Sequence, residues 1–161
     1  MANNTTFGGS SFNSDVEFNI GVSGDKKAFT ANFSGLGVSL NAKGSPPIVT
    51  RVFSFALQLS GADPGVEIPF AVSGNVFSQE GANGHLLFSV NDQSMVVDFP
   101  KNSDNDFVQQ LNYKVGSASE LRISVFLLAD RDSKSDAVVS LNVLAIDAQI
   151  TEVVPRPETA E

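Results

Sequence analysis

Residues 16–34 read VEFNIGVSGDKKAFTANFS, and their alternation decides the fold. Val16, Phe18, Ile20 and Val22 alternate with Glu17, Asn19, Gly21 and Ser23. After Gly24-Asp25-Lys26, the residues Phe29, Ala31 and Phe33 alternate with Thr30, Asn32 and Ser34. A period of two sends successive side chains to opposite faces of a strand, so each half buries one face and wets the other. Two such runs around a Gly-Asp turn read as a β-hairpin. At Gly35 the phase slips, and Leu36, Val38 and Leu40 continue at even positions. A bulge or strand corner at a glycine produces such a slip.

The same pattern recurs along the chain. Phe53, Phe55, Leu57 and Leu59 alternate with Ser54, Ala56, Gln58 and Ser60, and Asp63-Pro64-Gly65 marks a turn. Val66, Ile68, Phe70 and Val72 follow; Pro69 predicts an edge position for that strand, and residues 76–78 read as a short connection. Leu86, Phe88 and Val90 face Met95, Val97 and Phe99 in a second hairpin. Further runs carry Leu111, Tyr113 and Val115, then Leu121, Ile123, Val125 and Leu127, then Val139, Leu141, Val143 and Ala145, after which the phase shifts to Ile146, Ala148 and Ile150. No segment sustains a helical stripe. The expectation is an all-β fold, an antiparallel β-sandwich of jelly-roll type with about 8–10 strands. Residues 1–14 are expected to form a flexible arm, 15–154 one β-sandwich domain, and 155–161 a disordered tail.

Composition narrows the function classes. The 161 residues include 13 Phe but 1 Tyr and 0 Trp. Phe has no polar handle, so these rings predict an aromatic core rather than a half-wet binding surface. A net charge of -8 without a Lys/Arg cluster argues against nucleic acid and anionic membranes as partners. The absence of cysteine removes disulfides and thiolate chemistry and fits a reducing or an oxidising compartment equally, so localisation stays open. The start carries no signal-peptide pattern, and no apolar run reaches the roughly 18 residues of a membrane helix.

The catalytic inventory is nearly empty. His85 is the only histidine, no Gly-x-Ser-x-Gly elbow occurs, and no glycine-rich loop opens a helix to cradle phosphate. No catalytic residue is expected, and the chain reads as a non-enzyme. Zinc sites need His or Cys ligands; calcium needs only oxygen. Its candidate ligands are Asp130, Asp132 and Asp136 in one polar loop and Asp104 and Asp106 in another. The first loop lacks the central glycine and closing Glu of a helix-flanked calcium loop, and Arg131 and Lys134 oppose a cation. The alternative is an ordinary solvated hairpin loop.

The stretch from Asp130 to Asp136, with Ala137-Val138-Val139 after it, resembles the acidic loop of calcium-dependent bacterial sugar lectins. In those lectins an aspartate-dense loop leads into a Val-rich strand. The resemblance implies bound calcium ions that hold sugar hydroxyls. It departs where the lectins are richer in Asn, Asp and Gly, and it does not extend to the rest of the chain.

The polar strand faces are poor in charge: Ser54-Ala56-Gln58, Thr30-Asn32-Ser34, Ser124 and Ser140-Asn142. Short uncharged side chains are cheap to desolvate and suit contact with another subunit. The function expected is a non-catalytic structural or interaction module that self-associates as a homo-oligomer through these faces. The alternative is a calcium-assisted, lectin-like carbohydrate-binding domain. No resident cofactor is expected beyond that possible calcium.

Overall fold

The computed structural model describes residues 5–12, 16–41, 47–61, 65–117, 119–132 and 136–150. Asp63 and Pro64 of the expected turn, and the carboxy-terminal tail, lie outside them. The chain forms β1 (Thr6–Phe12), β2 (Glu17–Val22), β3 (Ala28–Ser34), β4 (Gly37–Leu40), β5 (Ile48–Ser60), β6 (Glu67–Ser78), β7 (Ala82–Val90), β8 (Gln93–Phe99), β9 (Asp104–Lys114), β10 (Glu120–Arg131) and β11 (Val139–Gln149). Sheet A has the order β1-β5-β10-β7-β8. Sheet B has the order β2-β3-β11-β6-β9, with β4 also on β11. Every pairing is antiparallel. Apart from the hairpins β2–β3 and β7–β8 and the corner between β3 and β4, each connection crosses between sheets. The result is the all-β sandwich that alternation predicts.

Both hairpins form in the expected register. Phe18 lies opposite Phe33, and Phe88 opposite Met95. The first turn is held by side chains: Ser23 Oγ donates to Asp25 Oδ1 at 2.6 Å, and the Lys27 amide donates to the same oxygen at 3.0 Å. These bonds, the Ser23 hydroxyl first, hold the Asp25 carboxyl below its ordinary range.

Both phase slips are real. At Gly35, φ is +86°, and the chain turns the corner from β3 to β4 while both segments stay on β11. The second slip falls just ahead of its expected place after Ala145, as a register shift in β11 between Val143 and Ala145, opposite Gly74 of β6. A Cβ at Gly74 would collide with the Asn142 carbonyl and the Phe107 ring, so this bulge requires glycine.

Four expectations change. Residues Thr6–Phe12, read as part of a flexible arm, form β1 against β5. The stretch is too rich in Gly and Ser to show alternation, yet buried Phe7 meets Phe29 edge-on at 4.9 Å and anchors it to the core. Together with the split at Gly35, this brings the strands to eleven among the described residues. Pro69 is not on an edge strand, since β6 lies between β11 and β9. It sits just beyond the last β11 pair, Phe70 with Ala148, where no amide is needed for that ladder. Residues 76–78 belong to β6 rather than to a connection, and β9 begins at Asp104, inside the expected loop.

Between the sheets lies the phenylalanine core. Phe33 meets Phe53 at 4.9 Å, Phe53 meets Phe55 at 5.8 Å, and Phe29, Phe70 and Phe88 continue the series at 6.0 to 6.2 Å. Edge-to-face and tilted rings are the arrangements that aromatic quadrupoles favour. Tyr113 is buried with them and accepts a hydrogen bond from Asn91 Nδ2 at 2.8 Å, which removes the one Tyr as a surface platform.

Candidate functional site

The outer face of sheet A carries residues that the alternation rule assigns to water but that are not polar. On β5, β10, β7 and β8 the buried positions alternate with an outer set. The ladders β5–β10–β7–β8 run without a register shift, so outer residues align in straight transverse rows. One row is apolar across all four strands: Val52, Phe126, Leu87 and Val96. Val52 is 60% exposed and Val96 66%, so the row is not sheltered by the fold. The next row is entirely serine: Ser54, Ser124, Ser89 and Ser94. On the other side of the apolar row stand Thr50, Leu128, His85 and Asp98. Ile48, Asp130 and Asn83 form the row beyond.

The apolar and serine rows carry no charge, and charged groups stand on either side of them. At one end Arg122 Nε donates to Glu120 Oε1 at 3.1 Å. At the other, His85 bridges two carboxylates: Nδ1 lies 2.7 Å from Asp98 Oδ1 and Nε2 lies 3.1 Å from Asp130 Oδ2. Asn83 Nδ2 donates to the second oxygen of Asp130 at 2.9 Å. Carboxylates accept only, so satisfying both contacts requires a proton on each ring nitrogen, which is the imidazolium form. Desolvation pulls the His85 pKa down, but the hydrogen bonds and charges of Asp98 and Asp130 outweigh it and raise the pKa above 6.5. His85 is therefore an ion-paired residue.

The expected calcium ligands do not converge. Asp130 is the penultimate residue of β10, on the outer face of sheet A, with its oxygens already engaged by His85 and Asn83. Asp132 and Asp136 are exposed beyond it, on either side of residues outside the description. Asp104 and Asp106 lie on β9 opposite Phe77 and Asn75, on the outer face of sheet B. Both acidic segments share one end of the sandwich, where the Ser78 amide donates to Ser103 O at 2.8 Å and the Gln79 amide to Val138 O at 2.9 Å. Their strand aspartates nevertheless project from opposite faces. Among the described residues no three His, Asp or Glu side chains group so as to hold a metal ion. Arg131, expected to oppose a cation, points inward, and its Nη1 donates to the carbonyls of Asn41 at 2.7 Å and Ala137 at 3.0 Å.

Sequence reasoning picked out Ser54, Ala56, Gln58 and Ser124, which do share the outer face of sheet A. It missed Val52, Phe126, Leu87 and Val96. The signal was there as interruptions of alternation, such as Leu86-Leu87-Phe88 and the unbroken run Val125-Phe126-Leu127-Leu128.

No protein-family model matches this chain, and no curated protein does. Among solved structures it is similar to TmCBM61 in complex with beta-1,4-galactotriose, at 13% identity over 82% of this chain and 88% of that one, with a TM-score of 0.34. It is also similar to the CBM22-1 xylan-binding domain of Paenibacillus barcinonensis Xyn10C, at 12% identity over 94% and 96% of the two chains, with a TM-score of 0.27. A mutant of CBM29-2 complexed with mannohexaose matches at 12% identity over 92% of each chain, with a TM-score of 0.20.

Proposed function

We propose that this chain is a non-catalytic interaction module that associates with a second copy of itself through the outer face of sheet A. The observation that supports this reading is the exposed apolar row Val52–Phe126–Leu87–Val96. An apolar stripe spanning four strands costs free energy in water and gains it in contact, at about 25 cal/mol per Å². The serine row flanks it on one side and Thr50, Leu128 and the His85–Asp98 ion pair on the other, with Glu120, Arg122 and Asp130 farther out, so the apolar row is edged by polar groups as an interface core is by its rim. The chain as a whole carries a charge of -8, so two copies repel. On this face Arg122 and protonated His85 nearly cancel the nearby carboxylates, so it is a face on which repulsion is least. Sedimentation equilibrium tests the reading: the expected mass is twice 17.0 kDa at micromolar concentration. A 17.0 kDa species at every concentration would reject it.

A second reading gives the same face a carbohydrate. Asn83, Asp98 and Asp130 set amide and carboxylate groups beside Leu87 and Leu128. Sugars need that pairing of hydrogen-bonding and apolar surface. Calorimetric titration with β-linked galactan, xylan and mannan oligosaccharides separates the two, since saturable heat lost in Asp130→Asn would favour the sugar.

A further inference from the structure

We infer that the two copies dock about a two-fold axis that runs across the strands through Phe126. This rests on the self-association proposed above and specifies its register. A symmetric interface must be self-complementary, so each residue has to tolerate what the axis brings to it. Arg122 and Asp130 stand on the same outer face of β10, each four residues from Phe126, about 13 Å at strand rise. Rotation about an axis across the strands keeps each strand over its own copy and reverses its direction. Phe126 then meets Phe126, and Arg122 of each copy lies over Asp130 of the other. Rotation about an axis along the strands would instead set Arg122 over Arg122 and Asp130 over Asp130. Charge therefore selects the first axis.

Side-chain size selects it too. The crosswise axis lays the serine row Ser54, Ser124 and Ser89 of one copy over Thr50, Leu128 and His85 of the other. Short side chains then face long ones, so facing sheets can interdigitate at the usual spacing of about 10 Å. Aligned sheets cross at about 30°, which displaces groups 13 Å from the axis by roughly 7 Å, within the reach of an arginine. Four strands over the length from Glu120 to Asp130 cover on the order of 600 Å² in projection, approaching the ~800 Å² that each partner of a standard interface buries.

The test is a charge swap split between two proteins. Arg122→Asp and Asp130→Arg each create two like-charge contacts in their own homodimers, and each should weaken self-association roughly tenfold. In an equimolar mixture every such contact becomes attractive, and a heterodimer of near wild-type affinity is expected by sedimentation with one partner labelled. Because Asp130 also holds His85, a second pair avoids it: Ser54→Asp and Thr50→Lys, two residues either side of Val52, should likewise prefer each other to themselves. Single variants as tightly associated as wild type, with no preference on mixing, would overturn the register while leaving the association intact. A monomeric wild type would instead remove the reading beneath it.

Discussion

The two sheets are built from the same alternating strands, yet their outer faces differ. Sheet A has in-register ladders across β5, β10, β7 and β8, and its outer rows line up as one apolar row beside one serine row. Sheet B is broken by the Gly35 corner and the bulge at Val143–Ala145. Its outer face is mixed: Phe77, Val108 and Leu144 are exposed there but do not stand abreast, and between them Asn75 accepts from Asn142 Nδ2 at 3.0 Å and Thr30 Oγ1 donates to Asp147 at 2.6 Å. Interruptions add local twist and offset neighbouring residues, whereas an unbroken ladder keeps like residues abreast. Regular pairing is thus a precondition for an apolar stripe wide enough to dock.

The largest effect should come from attacking the bulge. Gly74→Ala forces a methyl against the Asn142 carbonyl and the Phe107 ring and should cost about 3 kcal/mol in urea denaturation. Gly84→Ala in sheet A meets only Leu141 and Val76 side-chain carbons at ordinary distances of 3.5 Å and above. It should stay within about 0.5 kcal/mol. Equal losses at the two glycines would show that the bulge carries no special strain.

Next comes the contrast between faces. Val52→Asp with Val96→Asp places charge in the apolar row and should weaken self-association about a hundredfold, roughly 2.7 kcal/mol. Val108→Asp, at a site 64% exposed on the outer face of sheet B, should leave the sedimentation profile unchanged. The reverse result would move the interface to sheet B.

A smaller effect belongs to the charged end of sheet A. Because the folded state raises the His85 pKa, its ion pairs contribute fully below the unfolded value of 6.5. That contribution fades as pH rises through the folded value. His85→Gln should therefore lower the Tm more at pH 5.5 than at pH 8.5. The loss should be under about 1 kcal/mol, because the pair is partly solvated. A variant deficit that grows with pH would contradict the imidazolium assignment.

The smallest response should be to calcium. Asp130 is engaged by His85 and Asn83, and Asp104 and Asp106 face the other way. Melting curves with millimolar calcium and with chelator should coincide. A ligand at a hundred times its Kd would add about 2.7 kcal/mol and separate them plainly.

The sequence by itself determined the class of fold, both hairpins, the two phase slips and the phenylalanine interior. All of these depend on neighbours within one or two strands, and a period of two records them directly. Thr6–Phe12 escaped because a Gly/Ser-rich strand has no period to read and is ordered by its pairing with β5 and by the burial of Phe7. The apolar row on sheet A escaped for a related reason. Val52, Leu87, Val96 and Phe126 are far apart in the chain, and each alone is only a hydrophobic residue out of phase. Strand order decides which outer residues stand side by side, and loop closure and core packing set that order. Only the folded sheet makes four scattered irregularities into one surface.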